Sequence, residues 1–301
     1  MPNALAHFGV QGLVSRGLWR EGDARWIYLG CILPDVAWVL HRITRATLAG
    51  SVDLLDLRLY AMIQASLLFS VVLAAACAAL TSQARRVFIL LLFNCTLHLL
   101  LDACQTKWGN GVHLFAPYSW ELTNFGFFWP DSWPTYVLTI GGLAIIAWEF
   151  RRPRGLLVPM RPTGKRLAAS ALLVALYLVA PVYFFEPAEL SDSHSIRTLR
   201  RTAHRMPRSV AFDRNEYVHT DQGTFLRAWN GEVLQLHFDL YESTALPDHN
   251  AEVSLWGWFW GTSSVKVHGL HVHTGPSRDW PTYVGFLLLL VIWVRSFALR
   301  K

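Results

Sequence analysis

The sequence predicts a polytopic α-helical membrane protein with an inserted extracytoplasmic all-β domain, and three observations carry that expectation. Of 301 residues, 53% are hydrophobic and only 16% charged, whereas a soluble domain carries about 25% charged residues. The apolar residues gather into long runs. One block, residues 187–279, instead shows the short alternating pattern of strands. This composition, with 14 Trp and 17 Phe, excludes a disordered, collagen-like or coiled-coil chain and a small disulfide scaffold. A net charge of +6 in such a chain reports inward loops and anionic lipid, so membrane lipids are expected partners and nucleic acid is not. Cys31, Cys77, Cys95 and Cys104 lie in or beside apolar runs, where a thiol serves as a small hydrophobe.

Two weak elements open the chain. Ala4 to Trp19 reads as a mildly apolar helix containing His7, and Trp26 to Leu40 is apolar but interrupted at Pro34-Asp35. Five clearer spans follow: Tyr60 to Leu80, Val87 to Cys104, Thr135 to Phe150, Leu167 to Phe185 and Thr282 to Val294. Each approaches the roughly 20 apolar residues that cross a hydrocarbon core. The first run lacks a basic leader and a small-residue cleavage site, so no cleaved signal peptide is expected. The units expected are a helical membrane domain over 1–186, a β domain over 187–279 and a last helix over 280–301.

Basic residues set a direction. Arg85 and Arg86 follow the first span. Arg151, Arg152, Arg154, Arg161, Lys165 and Arg166 separate the third from the fourth, and Arg295, Arg300 and Lys301 end the chain. The positive-inside rule puts all three clusters in the cytoplasm and turns segments 105–133 and 187–279 outward. Arg42, Arg45 and Arg58 oppose that assignment. The pentapeptide Trp-Pro-Thr-Tyr-Val opens two spans, at Trp133 and at Trp280, where proline suits a first helical turn and the aromatics suit the headgroup level.

In the β block, Asn230-Gly231 between Thr224–Trp229 and Glu232–Leu240 signals a hairpin, and Glu252–Trp260 with Val265–His273 signals a second. A domain of four to six strands follows. His271 and His273 share one strand face and could take Zn or Cu, but no carboxylate stands at ligand spacing in that strand. Trp256, Trp258 and Trp260 alternate onto one face, which suits a core, a membrane contact or sugar stacking.

Ionisable groups at membrane depth carry the functional signal. His98 and Asp102 stand four apart on one helix face. A carboxylate at mid-span costs about 2.5–3.5 kcal/mol, so it should have a partner or face a cavity. The pair either grips a divalent metal or bonds helices together. Asp35 follows the helix-breaking Pro34, His41 comes six residues on, and His7 lies on the first element. Under the topology above, all five sit at the outer level of the membrane. Three or four such ligands with an open position lower the pKa of bound water to about 7. The reaction class is metal-assisted hydrolysis, with zinc the expected ion. His7, Asp35, His98 and Asp102 would be its ligands, and His41 a further ligand or a general base. In segment 105–133, Lys107 could neutralise a phosphate and His113 could reach a metal. An interfacial aromatic belt is the plainer account of that segment.

Ala6-His7-Phe8, Gly30-x-x-Leu33-Pro34-Asp35, His41-Arg42, His98-x-x-x-Asp102 and Gly111-x-x-Leu114-x-x-Pro117 together resemble the inner-membrane metal-dependent hydrolase family typified by YdjM. The resemblance covers about residues 1–150. It implies a bacterial inner-membrane location, a hydrolase activity and His7, Asp35, His41, His98 and Asp102 as inherited site positions. Two positions depart from the family pattern: Ala37 replaces a second Asp, and Arg45-Ala46-Thr47 lacks a further His. One metal, a weaker site or lost catalysis stay open. The expected substrate is a lipid ester, a phosphoester or a lipid-linked sugar at the outer leaflet. The rival is a non-catalytic membrane scaffold whose β domain binds a protein or glycan.

Overall fold

A computed structural model describes residues 3–48, 50–152, 157–238, 246–247, 249–274 and 279–298. Arg154, Arg300, Lys301 and the end of the expected hairpin at Leu240 lie outside the described residues. The chain forms a helical unit and a small β-barrel. Among the described residues, two helices are long and apolar enough to cross a membrane, Ala84–Ala103 and Gly164–Leu190; a third candidate is a bent pair.

The helical unit begins with α1 (Ala4–Leu18), capped by the Asn3 side chain, which accepts from the Ala6 amide. Small residues let α1 lie deep among its neighbours. Gly9 meets Gly142 of α7 (Trp133–Arg151), and Ala4 meets Gly285 of α11 (Asp279–Ala298), so closely that a methyl group at either glycine would collide. Close approach through small residues is how helices associate where lipid removes the hydrophobic drive. The two helices opened by the repeated pentapeptide thus both flank α1.

Pro34 breaks the second apolar element as expected. Helix α2 (Ala24–Gly30) gives way to a single 3-10 turn, Leu33–Asp35, and then to α3 (Val36–Thr47). The expected continuous span Tyr60 to Leu80 is corrected. It is two helices, α4 (Leu54–Gln64) and α5 (Leu67–Ala79), bent by 65°. Ser66 causes the break: its backbone is extended, its hydroxyl accepts from the Phe69 amide, and the Leu67 amide leaves the helix to donate to the His113 carbonyl at 3.2 Å. Helix α6 (Ala84–Ala103) has 20 residues, about 30 Å at 1.5 Å per residue. Arg85 and Arg86 stand at one end and Asp102 at the other. The remaining apolar run is α8 (Gly164–Val179), a 3-10 stretch and α9 (Phe185–Leu190).

The basic loops meet at the end of the helices remote from Asp102. The Arg161 amide donates to Leu80, the Ser82 amide to Pro159, and a buried Arg25–Asp23 pair donates to and accepts from Val158.

After α10 (Ile196–Arg200) come five strands: β1 (Ser209–Thr220), β2 (Gly223–Arg227), β3 (Val233–Phe238), β4 (Ala251–Phe259) and β5 (Ser264–Val272). They close into a barrel in the order β1-β2-β3-β5-β4, antiparallel except for the β3–β5 pair. Both expected hairpins form, at β2–β3 and β4–β5. Strand β1 was not marked by the sequence pattern. It pairs with both β2 and β4 and carries a bulge between Phe212 and Asn215. Inward residues such as Phe212, Leu226, Leu234, Leu255 and Val265 fill the barrel core, while Trp256, Trp258 and Trp260 stand on its outside, 41%, 45% and 68% exposed. A core role for those three is therefore excluded.

Segment 105–132 lies between the two units. Gly109, at φ +67°, lets its backbone press on β1, where a Cβ would stand 2.1 Å from the Ala211 carbonyl oxygen. Asn110 donates to Asp213 at 2.9 Å. At the other end, the Asp131 carboxylate meets His271 and His273 of the barrel at 3.2 and 3.0 Å.

Candidate metal centre

His7, Asp35, His98 and Asp102 converge where α1, the 3-10 turn and the end of α6 meet. His7 Nε2 lies 3.5 Å from Asp102 Oδ1, and His98 Nε2 lies 3.8 Å from Asp102 Oδ2 and 3.4 Å from Asp35 Oδ1. The two imidazoles stack face to face, 3.8 Å between centroids and 7° from parallel. Both histidines are fully buried.

These spacings are too long for good hydrogen bonds and short enough for a shared ion. Ligands about 2.1 Å from a tetrahedral cation stand about 3.4 Å apart. His7 Nε2, His98 Nε2, Asp102 Oδ1 and Asp35 Oδ1 are all buried without a hydrogen-bond partner. Buried polar atoms are nearly always satisfied, so four orphans aimed at one another want an occupant. One ligand atom each from His7, His98 and Asp102 falls within 4.8 Å of the other two. Asp35 touches this trio through His98.

The surrounding backbone selects the ring nitrogens. Pro34 has no amide hydrogen, and the Asp35 amide donates to Ile32 at 2.9 Å. The Cys31 carbonyl therefore has no helical donor and accepts from His98 Nδ1 at 2.7 Å. That bond places the remaining lone pair on Nε2, the atom facing Asp35 and Asp102. His7 Nδ1 lies 3.1 Å from the Gln11 side-chain amide one turn on. With its oxygen turned to Nδ1–H, Gln11 would fix His7 in the same tautomer. Lys107 Nζ stands 3.5 Å from Asp102 Oδ1 and is itself buried.

Above the cluster opens a cavity of about 260 Å³. Asp35, His98, Asp102 and Lys107 form its floor; Trp38, His41, Arg58, His113 and His194 form its walls; Asp213, Arg214 and Trp229 of the barrel form its roof. His41 thus lines the cavity but stands outside the ligand trio, so its reading as a further ligand is corrected: it projects from α3, past the turn that carries Asp35. Arg42, Arg45 and Arg58, which opposed the topology, also line this cavity, which accounts for basic charge at this end of the helices. Ala37, at the place of the missing second Asp, is buried.

Lys107, His113 and Asp131 are not members of an aromatic belt. The first two line the cavity, and Asp131 joins His271 and His273 in a second cluster whose ligand atoms lie within 4.8 Å of one another. The carboxylate missing from the strand arrives from a segment 140 residues away. Trp129 stacks on His271 at 3.7 Å, and His273 Nε2 meets Ser254 Oγ at 2.8 Å. Burial pushes His273 down to about 4, and the two imidazoles hold Asp131 below its usual range against the cost of its burial. In this second cluster the carboxylate–imidazole contacts are already hydrogen bonds, unlike those of the first.

Gln11, Arg58 and His194 escaped sequence reasoning. Gln11 stands four residues after His7, a spacing that could have marked it; Arg58 and His194 gave no local signal. Comparison with family models, with curated proteins and with solved structures finds no match to this chain.

Proposed function

We propose that the chain is a membrane-embedded, metal-dependent hydrolase of the YdjM-like kind, acting at the outer leaflet on an ester, phosphoester or lipid-linked sugar. The observation that carries this reading is the set of four buried ligand atoms without a hydrogen-bond partner, three of them, on Asp35, His98 and Asp102, belonging to residues that line an open polar cavity. His7, His98 and Asp102 would hold one divalent ion, zinc by its preference for imidazole and carboxylate in a four-coordinate site. Such an ion would supply a water acidic enough to act as hydroxide near neutrality. Asp35, which touches the trio through His98, would be the base that takes that proton. Lys107 neutralises Asp102 and lends positive charge to the floor. His41 serves from the wall as a further proton carrier.

The outward orientation rests on the basic loops gathered at the far end of the helices, with the barrel and the cavity at the other. The bacterial inner membrane is the location this implies. Metal analysis of the detergent-purified protein against Asp102→Asn tests the reading. Stoichiometric zinc that disappears in the variant supports it; no bound metal in either protein sinks it. The scaffold reading has one observation of its own, the exposed row Trp256, Trp258 and Trp260, which suits a glycan or protein partner. It gains if metal is absent and that row proves to bind.

A further inference from the structure

One wall of the cavity has a built arrangement of donors. Arg58 has no carboxylate within ion-pair distance among the described residues. Its guanidinium lies over Trp229 at 4.4 Å and near Trp38 at 5.8 Å, and its Nη2 donates to His194 Nδ1 at 3.2 Å. A guanidinium can only donate, so His194 accepts at Nδ1 and carries its hydrogen on Nε2. That Nε2–H is buried and has no partner, and neither has Arg58 Nε. His194 itself is 2% exposed.

The backbone that presents His194 is strained. Asp192, His194 and Ser195 all have φ between 54° and 57°, in the left-handed region that residues other than glycine adopt only at a cost. Side-chain bonds hold the turn: among them Asp192 Oδ1 accepts from the Thr198 amide at 2.8 Å, Ser193 donates to Trp120 at 2.8 Å, and Ser195 donates to Ala211 at 2.9 Å. Strain of this sort clusters at ligand clamps. The unpartnered atoms here are donors, whereas those of the floor suit a cation. The carboxylate that acts on Arg58, Asp213 across the cavity, stands beyond ion-pair distance, and a half-buried guanidinium so placed is better satisfied when a ligand brings an anion into contact with it. At about 260 Å³ the cavity lies near the small end of ligand sites, enough for a head group and too small for a nucleotide or an oligosaccharide.

We propose that this wall binds the phosphate of a small phosphoester head group, with Arg58 and His194 donating to its oxygens. The inference rests on the metal-hydrolase reading for its chemistry, though not for the binding itself. Hydrolysis of such a monoester joins the oxygen of water to phosphorus and breaks the bond from phosphorus to the alcohol oxygen. One water proton goes to the departing alkoxide and the other stays on the phosphate. Trp38 and Trp229 keep the guanidinium plane fixed, and burial keeps His194 neutral, as a donor that repels neither Arg58 nor Lys107.

The test is titration calorimetry of the full chain in detergent with inorganic phosphate, before and after chelation, with acetate as control. Saturable phosphate binding is expected, weakened at least tenfold in Arg58→Gln and severalfold in Arg58→Lys and His194→Gln. Metal content should stay at the wild-type level in all three. Binding lost on chelation or in Asp102→Asn, but kept by Arg58→Gln, would overturn the inference and leave the hydrolase reading standing. Arg58-dependent binding to a protein that takes up no metal would keep the inference and sink that reading. Acetate binding as tightly as phosphate would also overturn it. Nanodiscs separate the two sources of phosphate: phosphatidic acid in the disc should compete with inorganic phosphate if the head group belongs to a lipid. Phosphatidylcholine alone should not compete, and a disc of either kind without effect assigns the site to a soluble ester.

Discussion

Two adjacent glycines of α7 should respond in opposite directions to the same added methyl group. A Cβ on Gly142 would stand 1.9 Å from the Leu5 carbonyl oxygen, whereas one on Gly141 would meet nothing within 4 Å. Ordinary contact begins near 3.4 Å, so Gly142→Ala must drive α1 and α7 apart by about 1.5 Å. Overpacking of that kind costs about 1–3 kcal/mol. Two residues after Leu5 comes His7, and a metal centre tolerates displacement of only about 0.5 Å. The variant should therefore melt several degrees lower and, if the proposed site takes Co²⁺ as a spectroscopic probe, lose most of the cobalt absorption. Gly141→Ala removes backbone freedom without a clash and should be stabilised by about 0.5–1 kcal/mol, with cobalt binding intact. Thermal unfolding and visible absorption of the two variants in one detergent decide the matter. If Gly142→Ala melts as high as Gly141→Ala and binds cobalt equally, packing of α1 on α7 does not position His7.

Other outcomes follow from the same structure. Asp23→Asn leaves the fully buried Arg25 guanidinium without its carboxylate and should cost about 3–5 kcal/mol, read as a loss of folded yield or of melting temperature. Acid should destabilise the metal-free protein in a defined window. Burial holds His113 and His273 down to about 4, while unfolded imidazole titrates near 6.5. As pH falls from 6.5 towards 4 the unfolded chain takes up protons that the folded chain refuses, so stability declines across that interval and is level above it. His113→Gln should flatten the profile of melting temperature against pH, and an unchanged slope would refute the assignment. Asp131→Asn removes the carboxylate that ties segment 105–132 to His271 and His273; it should raise protease cleavage in that segment while leaving the metal content at the wild-type level.

What could be read from the sequence followed what is local. His98 and Asp102 share a helix face by spacing alone, Pro34 had to break its helix, and Asn230-Gly231 had to turn a hairpin. The convergence of His7 and Asp35 on that pair was expected from their common depth and from family likeness, yet the contact depends on α1 lying against glycines 130 residues away. The bend at Ser66 was hidden because apolar composition does not distinguish one span from two half-helices; an extended serine and an amide borrowed by His113 decide it. His194 and Arg58 were invisible for a related reason. Neither has a partner nearby in the chain, and the cavity between them exists only once the barrel is seated.

The break at Pro34 shows how a residue with no polar side-chain atom can govern a ligand. By lacking a single hydrogen it releases a carbonyl, and that oxygen dictates which edge of an imidazole is basic. Replacing Pro34 with alanine would leave every candidate ligand in the chain and restore one N–H that competes for the Cys31 oxygen. The His98 ring would then be at liberty to exchange tautomers. Surveys that mutate acids and histidines alone would pass over this position, although the basicity of the cluster is decided there.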